Sequence, residues 1–221
     1  MLPETYRFTR GTARDQVIQR MQQAQRRAVQ EIWDRRMPDL PLRSPEQLVT
    51  LASIVEKETG RSDERTRVAA VFVNRLKQRI KLQSDPTIIY GLVGGKGTLG
   101  RPILRSEIEQ PTPYNTYVID GLPPGPIANP GRAAIEAVAN PARTKELYFV
   151  ADGTGGHAFS ETLDQHQRNV ARLRAIEQGQ RDPTATAAVP AIPTAAPAAA
   201  PAAARRPPAP RPPAQQPPQP R

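Results

Sequence analysis

Two glutamates, Glu56 and Glu58, lie two residues apart near the end of a strongly marked helical pattern. That pattern runs through Leu48, Leu51, Ala52 and Val55 and stops at Gly60. At about 100° per residue, Glu56 falls about 80° to one side of Leu48 and Glu58 about 80° to the other, while Lys57 points to solvent. Each carboxyl therefore sits on a border of the buried stripe. A carboxyl partly removed from water keeps its proton to higher pH and can act as a general acid near neutrality. Surface glutamates at such borders are also common, so the pattern alone leaves the role open. Glu56, beside Val49, is taken as the acid/base candidate and Glu58 as its mirror.

Other residues offer weaker chemistry. Asp85, in Ser84-Asp85-Pro86, is either a second carboxylate of a two-acid glycosidase or the cap of a turn or helix. His157 and His166 have no metal-ligand spacing, and a hydrogen-bonded structural role is the default for both. Gly91–Thr98 resembles a phosphate-binding loop, but Gly97 stands where Ser or Thr must follow Lys96. Tyr90, Tyr114, Asn115, Tyr117 and Asn129 fall in polar, irregular stretches. Rings and amides of this kind suit sugar binding and also suit plain packing. The absence of cysteine excludes thiol catalysis and disulfides. No cofactor or metal site is expected.

These residues need a scaffold. Ser44-Pro45-Glu46-Gln47 reads as a capping box opening the glutamate helix. An amphipathic helix is expected over 12–36, capped by Thr12. A third helix is expected from Ser62, with Val68, Val71, Phe72 and Leu76 inward and Arg65, Arg67 and Arg75 outward. Residues 83–87 read as a loop, 114–119 as a strand and 131–139 as a short helix. Leu147–Val150 and His157–Ser160 flank Asp152–Gly156 as a β-hairpin, and a last helix covers 161–178. The expected class is α+β: helices packed with a small antiparallel hairpin. The domain is expected to span 1–181. Residues 182–221 read as a disordered Pro/Ala/Arg tail, which from Pro183 holds 13 of the 26 prolines and no acidic residue.

The net charge is +10, which points to a polyanionic neighbour: nucleic acid, an anionic membrane or an acidic glycan. No apolar run reaches the roughly 18 residues of a membrane span, and no signal peptide is visible.

Read together, Leu51–Thr59, Val71–Leu76, Leu82–Gly91, Pro113–Tyr117, Gly121–Gly131 and Tyr148–Phe159 resemble the endolytic murein transglycosylase family (MltG, YceG-like). The resemblance covers about residues 2–175. It implies a bacterial lytic transglycosylase, anchored in the inner membrane and facing the periplasm, that cuts peptidoglycan glycan strands to 1,6-anhydro ends. It implies peptidoglycan synthases as partners and no role for nucleic acid. It places the catalytic glutamate in Ile54-Val55-Glu56-Lys57-Glu58, where Glu56 is taken as the match. The family's N-terminal transmembrane helix and LysM-like subdomain have no counterpart in this sequence. On this reading the glycan meets Gln83, Ser84, Asp85, Tyr90, Asn115, Tyr117, Asn129 and His157. Glu56 should face the 83–90 and 113–131 segments. The alternatives are a two-carboxylate muramidase using Glu56 and Asp85, and a non-catalytic glycan- or nucleic-acid-binding module.

Overall fold

The computed structural model describes residues 1–180; the tail expected over 182–221 lies outside them. The order is α1 (Arg14–Asp34), α2 (Pro45–Glu58), α3 (Arg65–Lys77), α4 (Asp85–Val93), α5 (Arg105–Glu109), α6 (Arg132–Ala139), β1 (Tyr148–Ala151), β2 (His157–Ser160) and α7 (Leu163–Gln180). The class is α+β, as the sequence implied.

Helix α2 is the centre of the core. Its start follows from local chemistry: the Ser44 hydroxyl accepts from the Gln47 amide at 3.4 Å, and Pro45 occupies the first turn. Leu48, Leu51, Ala52, Ile54 and Val55 are fully buried. They pack with Ile32 of α1, Val68, Ala69 and Phe72 of α3, and Ala134, Ile135 and Val138 of α6. Each such leucine or isoleucine contributes about 1.5–3 kcal/mol relative to exposure. Thr50 and Ser53 are buried as well; Ser53 Oγ donates to the Thr50 carbonyl and accepts from the Ile127 amide. Burial thus wraps most of the way round α2. Both borders of its stripe are covered, each by a different element.

The hairpin forms in the expected place. β1 and β2 pair antiparallel, with Phe149 opposite Phe159 and Ala151 opposite His157. Asp152 Oδ1 accepts from the Thr154 and Gly156 amides and so ties the turn. Val150, Val170 and Leu173 form a second, small cluster under α7.

Several local expectations differ from the structure. Residues 114–119 form turns and not a strand, because Asn115 is buried in their midst. Its Nδ2 donates to the carbonyls of Glu107, Ile108 and Gln110, and its Oδ1 accepts from the Tyr117 amide. Such a hub folds the chain back on itself. Asp85–Val93 is helix α4 rather than a loop, with Pro86 in its first turn and Gly94 closing it in the left-handed region at φ 59°. α3 starts at Arg65, and its Arg75 is buried, 6% exposed, instead of facing solvent. Helix α1 is preceded by Ala13 at the cap position; Thr12 donates to the Thr9 carbonyl.

Candidate functional site

The two glutamates of α2 meet different neighbours. Glu56 turns towards α6: its Oε2 accepts from the Gly131 amide at 3.1 Å, at the residue that caps α6. A carboxylate at a helix N-terminus satisfies an otherwise orphaned amide and complements the helix dipole. Glu56 therefore touches the end of the 113–131 segment. Its hydrogen bond is of a kind that holds helices together.

Glu58 turns towards α4. Its Oε1 accepts from the Ser84 hydroxyl at 2.6 Å. Ser84 is the cap residue of α4, yet its side chain makes no capping bond and is given to Glu58 instead. Burial pushes the Glu58 carboxyl up to about 7; the Ser84 hydrogen bond opposes the rise, the Asp85 charge adds to it and Arg75 opposes it. Glu58 is thus a carboxyl that exchanges a proton near neutrality, the property general acid–base work requires.

The groups around Glu58 come from three chain segments. Tyr117 Oη donates to Asp85 Oδ1 at 2.5 Å, and burial together with Asp85 pushes its phenol up. Ser84 N donates to Thr116 Oγ1 at 2.9 Å, Gln83 N donates to the Thr116 carbonyl at 3.1 Å, and Thr87 Oγ1 lies 2.8 Å from Thr116 Oγ1. These bonds zip the 83–87 and 115–117 stretches together. Gln83 itself stands in the left-handed region, φ 53°, which costs a non-glycine residue about 1–3 kcal/mol. From α3, Arg75 reaches in to bond the Lys81 and Leu82 carbonyls and Gln83 Oε1.

Of the residues expected to meet a glycan, Gln83, Ser84, Asp85 and Tyr117 are brought together here, beside Glu58. The others stand apart from this cluster or are engaged elsewhere. Asn115 is 1% exposed and its amide is taken up by the bonds of the turn it organises, which leaves it little surface to offer a sugar. Tyr90 packs against Tyr114, with ring centroids 4.8 Å apart and planes tilted by 55°, beside the main core. Asn129 is exposed and its Oδ1 accepts from the Met1 amine. His157, on β2, is bound to Glu64 twice, through Nδ1 at 2.7 Å and its amide at 2.9 Å, and lies edge-on to Phe149. His166 is buried and stacks on Tyr148; burial, then Arg75, pulls its imidazole down. Among the described residues no group of three or more His, Asp or Glu is placed to hold a metal ion.

The spacing took Glu56 first and Glu58 as its mirror without showing what stands at either border of α2, and it misplaced Arg75, which is buried. The signal for Arg75 was present: at about 100° per residue it lies only about 20° from Val68, on the apolar stripe of α3. For Glu58 the available signal was Ser84-Asp85-Pro86, a helix start whose cap residue has a second possible partner.

Comparison with known proteins agrees with the strings. The YceG-like family matches residues 1–172. A protein of Bacillus subtilis named endolytic murein transglycosylase is 41% identical over 125 residues, 57% of this chain and 34% of that protein. One of the same name from Streptococcus pneumoniae is 40% identical over 131 residues, 57% of this chain and 23% of that protein. The chain thus spans about a third or less of the length of these relatives. The crystal structure of a yceG-like protein from Listeria monocytogenes, 36% identical, superposes with a TM-score of 0.64 over 75% of this chain and 53% of that one.

Proposed function

Because the chain belongs to the YceG-like family, we propose that it carries the catalytic domain of an endolytic murein transglycosylase and that Glu58, rather than Glu56, is its acid/base. The substrate is the glycan strand of peptidoglycan, cut at the β-1,4 bond between N-acetylmuramic acid and N-acetylglucosamine. The relatives' names support the reaction class. The observation that carries the residue assignment is the Glu58 carboxyl, half-buried beside Ser84, Asp85 and Arg75, bonded by the Ser84 hydroxyl and titrating near neutrality.

One carboxyl suffices for the chemistry. Protonated Glu58 donates to the bridging oxygen, and the C1–O bond breaks with the pair leaving on that oxygen. The resulting carboxylate takes the proton of the muramic C6 hydroxyl as O6 bonds to C1. The product is a 1,6-anhydro ring; no water enters and Glu58 ends protonated. A group shuttling one proton works best when its two forms are close in free energy at the working pH, which burial arranges here. Glu56, in this reading, anchors α6 through Gly131.

A specific observation keeps a second reading in view: Asp85 stands in the same cluster, held by Tyr117. A hydrolase using Glu58 and Asp85 would direct water at C1. Mass spectrometry of products from purified glycan strands separates the two, since a hydrolase leaves reducing muramic ends and a transglycosylase leaves anhydro ends. The same assay tests the residue. Glu58→Gln should lose about 10²–10⁴-fold in rate, whereas Glu56→Gln keeps an acceptor for the Gly131 amide and should lose far less. The reverse pattern would return the role to Glu56.

Action on peptidoglycan places the enzyme outside the cytoplasm. The periplasmic face of the inner membrane, and work beside peptidoglycan synthases, fit this function. Among the described residues no helix is long and apolar enough to cross a membrane.

A further inference from the structure

Arg75 is a cation held inside the protein, 6% exposed. Its Nε donates to the Leu147 carbonyl at 2.7 Å, and its Nη1 donates to the Leu82 carbonyl at 2.9 Å, the Lys81 carbonyl at 3.1 Å and Gln83 Oε1 at 3.3 Å. Its guanidinium lies over the Tyr148 ring, 5.2 Å from the centroid. Burying a charge is costly unless it is well bonded, and a backbone stitch alone could be made by a neutral donor. Three of the four bonds instead converge on one short stretch, 81–83, in a segment that is also strained. Arg79 and Gln83 both take left-handed backbone conformations, φ 58° and 53°. Such conformations persist where surrounding contacts over-determine them, and they collect at functional sites.

The consequence is an orientation. An amide has one acceptor oxygen and one donor nitrogen. Arg75 only donates, so the contact with Gln83 fixes the oxygen inward and leaves the nitrogen as the end turned away from Arg75. Gln83 is half-exposed and precedes Ser84, the residue bonded to Glu58. We propose that Arg75 is a positioning residue that presents the Gln83 amide nitrogen at the edge of the Glu58 site, as a donor to the carbonyl oxygen of an N-acetyl group on the glycan. Both sugars of the strand carry that group, and a donor fixed in advance discriminates better than a freely rotating one. The inference rests on the glycan reading above, and it is tested by binding rather than by cleavage.

Affinity is measured by calorimetry for a short N-acetylglucosamine–N-acetylmuramic acid oligomer and for the same oligomer stripped of its N-acetyl groups. Gln83→Ala and Arg75→Lys should each weaken binding of the N-acetylated oligomer by about three- to tenfold, the scale of one hydrogen bond. Lysine keeps the charge but not the fork that spans three acceptors. For the stripped oligomer, the ratio of variant to wild-type affinity should return to near one. The double variant should be no weaker than the worse single one, because both act through the same donor. Gln83→Glu keeps an oxygen for Arg75 but turns the outward group from donor to acceptor. It should bind the N-acetylated oligomer no better than Gln83→Ala, and this variant decides the matter if Arg75→Lys does not fold. Equal losses on both oligomers, additive losses in the double variant, or wild-type affinity in Gln83→Glu would overturn the proposal. Failure of the acid/base assignment shows separately, as cleavage retained in Glu58→Gln.

Discussion

Replacing Glu58 by glutamine should make the protein inactive and, above neutral pH, more stable. The wild-type carboxyl titrates at about 4.5 when exposed and at about 7 in the fold. Between these values the native state holds a proton that the unfolded chain has released. Stability therefore falls as pH rises through this window, following the difference in bound protons. Moving a carboxyl from about 4.5 to about 7 corresponds to about 3 kcal/mol, all of it present as a penalty above pH 7 and absent below about pH 4.5. Glutamine mimics the protonated acid: it carries no charge to bury, and its oxygen can still accept from the Ser84 hydroxyl, 2.6 Å away in the wild type. The assay is urea or thermal unfolding of both proteins at a series of pH values from 4.5 to 8.5. At the acid end the two should nearly coincide. Towards pH 8 the variant should lead by up to about 3 kcal/mol, or roughly 5–10 °C in midpoint for a domain of this size, with the gap flat beyond pH 7.5. A gap that does not change with pH would mean that Glu58 is not a strained acid. A gap that opens in the opposite direction would mean that its carboxylate is the favoured form, and the acid/base assignment would lose its physical basis.

Other consequences are simpler to state. Ser84→Ala removes a bond that holds the Glu58 carboxyl down, so the alkaline limb of kcat/KM should move to higher pH; a limb that stays in place would separate Ser84 from the proton chemistry. Asn115→Ala leaves three carbonyls and the Tyr117 amide without their partner and should cost about 2–4 kcal/mol in urea unfolding; a loss under 1 kcal/mol would deny it the role of hub. Ending the chain after residue 182 should leave the unfolding midpoint and the rate of strand cleavage unchanged, because the removed stretch has almost no large apolar residues with which to dock.

What the sequence determined by itself was local chemistry and its family signature. Ser44-Pro45 starts α2 wherever that helix is placed, because the cap and the fixed proline torsion act within four residues. Asp152–Gly156 turns the hairpin for the same reason: Asp152 ties its own loop. The strings from Leu51 to Phe159 carried the family, and the 3.6-residue period placed both glutamates on the borders of one stripe. The tertiary structure decided what stands at each border. A helical wheel gives an angle but not the neighbour standing at that angle. Here Gly131 at the start of α6 meets Glu56, while Ser84, Asp85 and Arg75, from α4 and α3, meet Glu58. Asn115 and Arg75 make the same point from opposite sides. Asn115 sits in a segment with strand-like composition, and only its long reach to Glu107 and Ile108 makes that segment a turn. Arg75 lay on the apolar stripe of α3 by its spacing, but a buried arginine is tolerable only where carbonyls from 81, 82 and 147 converge on it. Such convergence joins residues far apart in the chain, and the cost of burying a charge is settled by those distant partners.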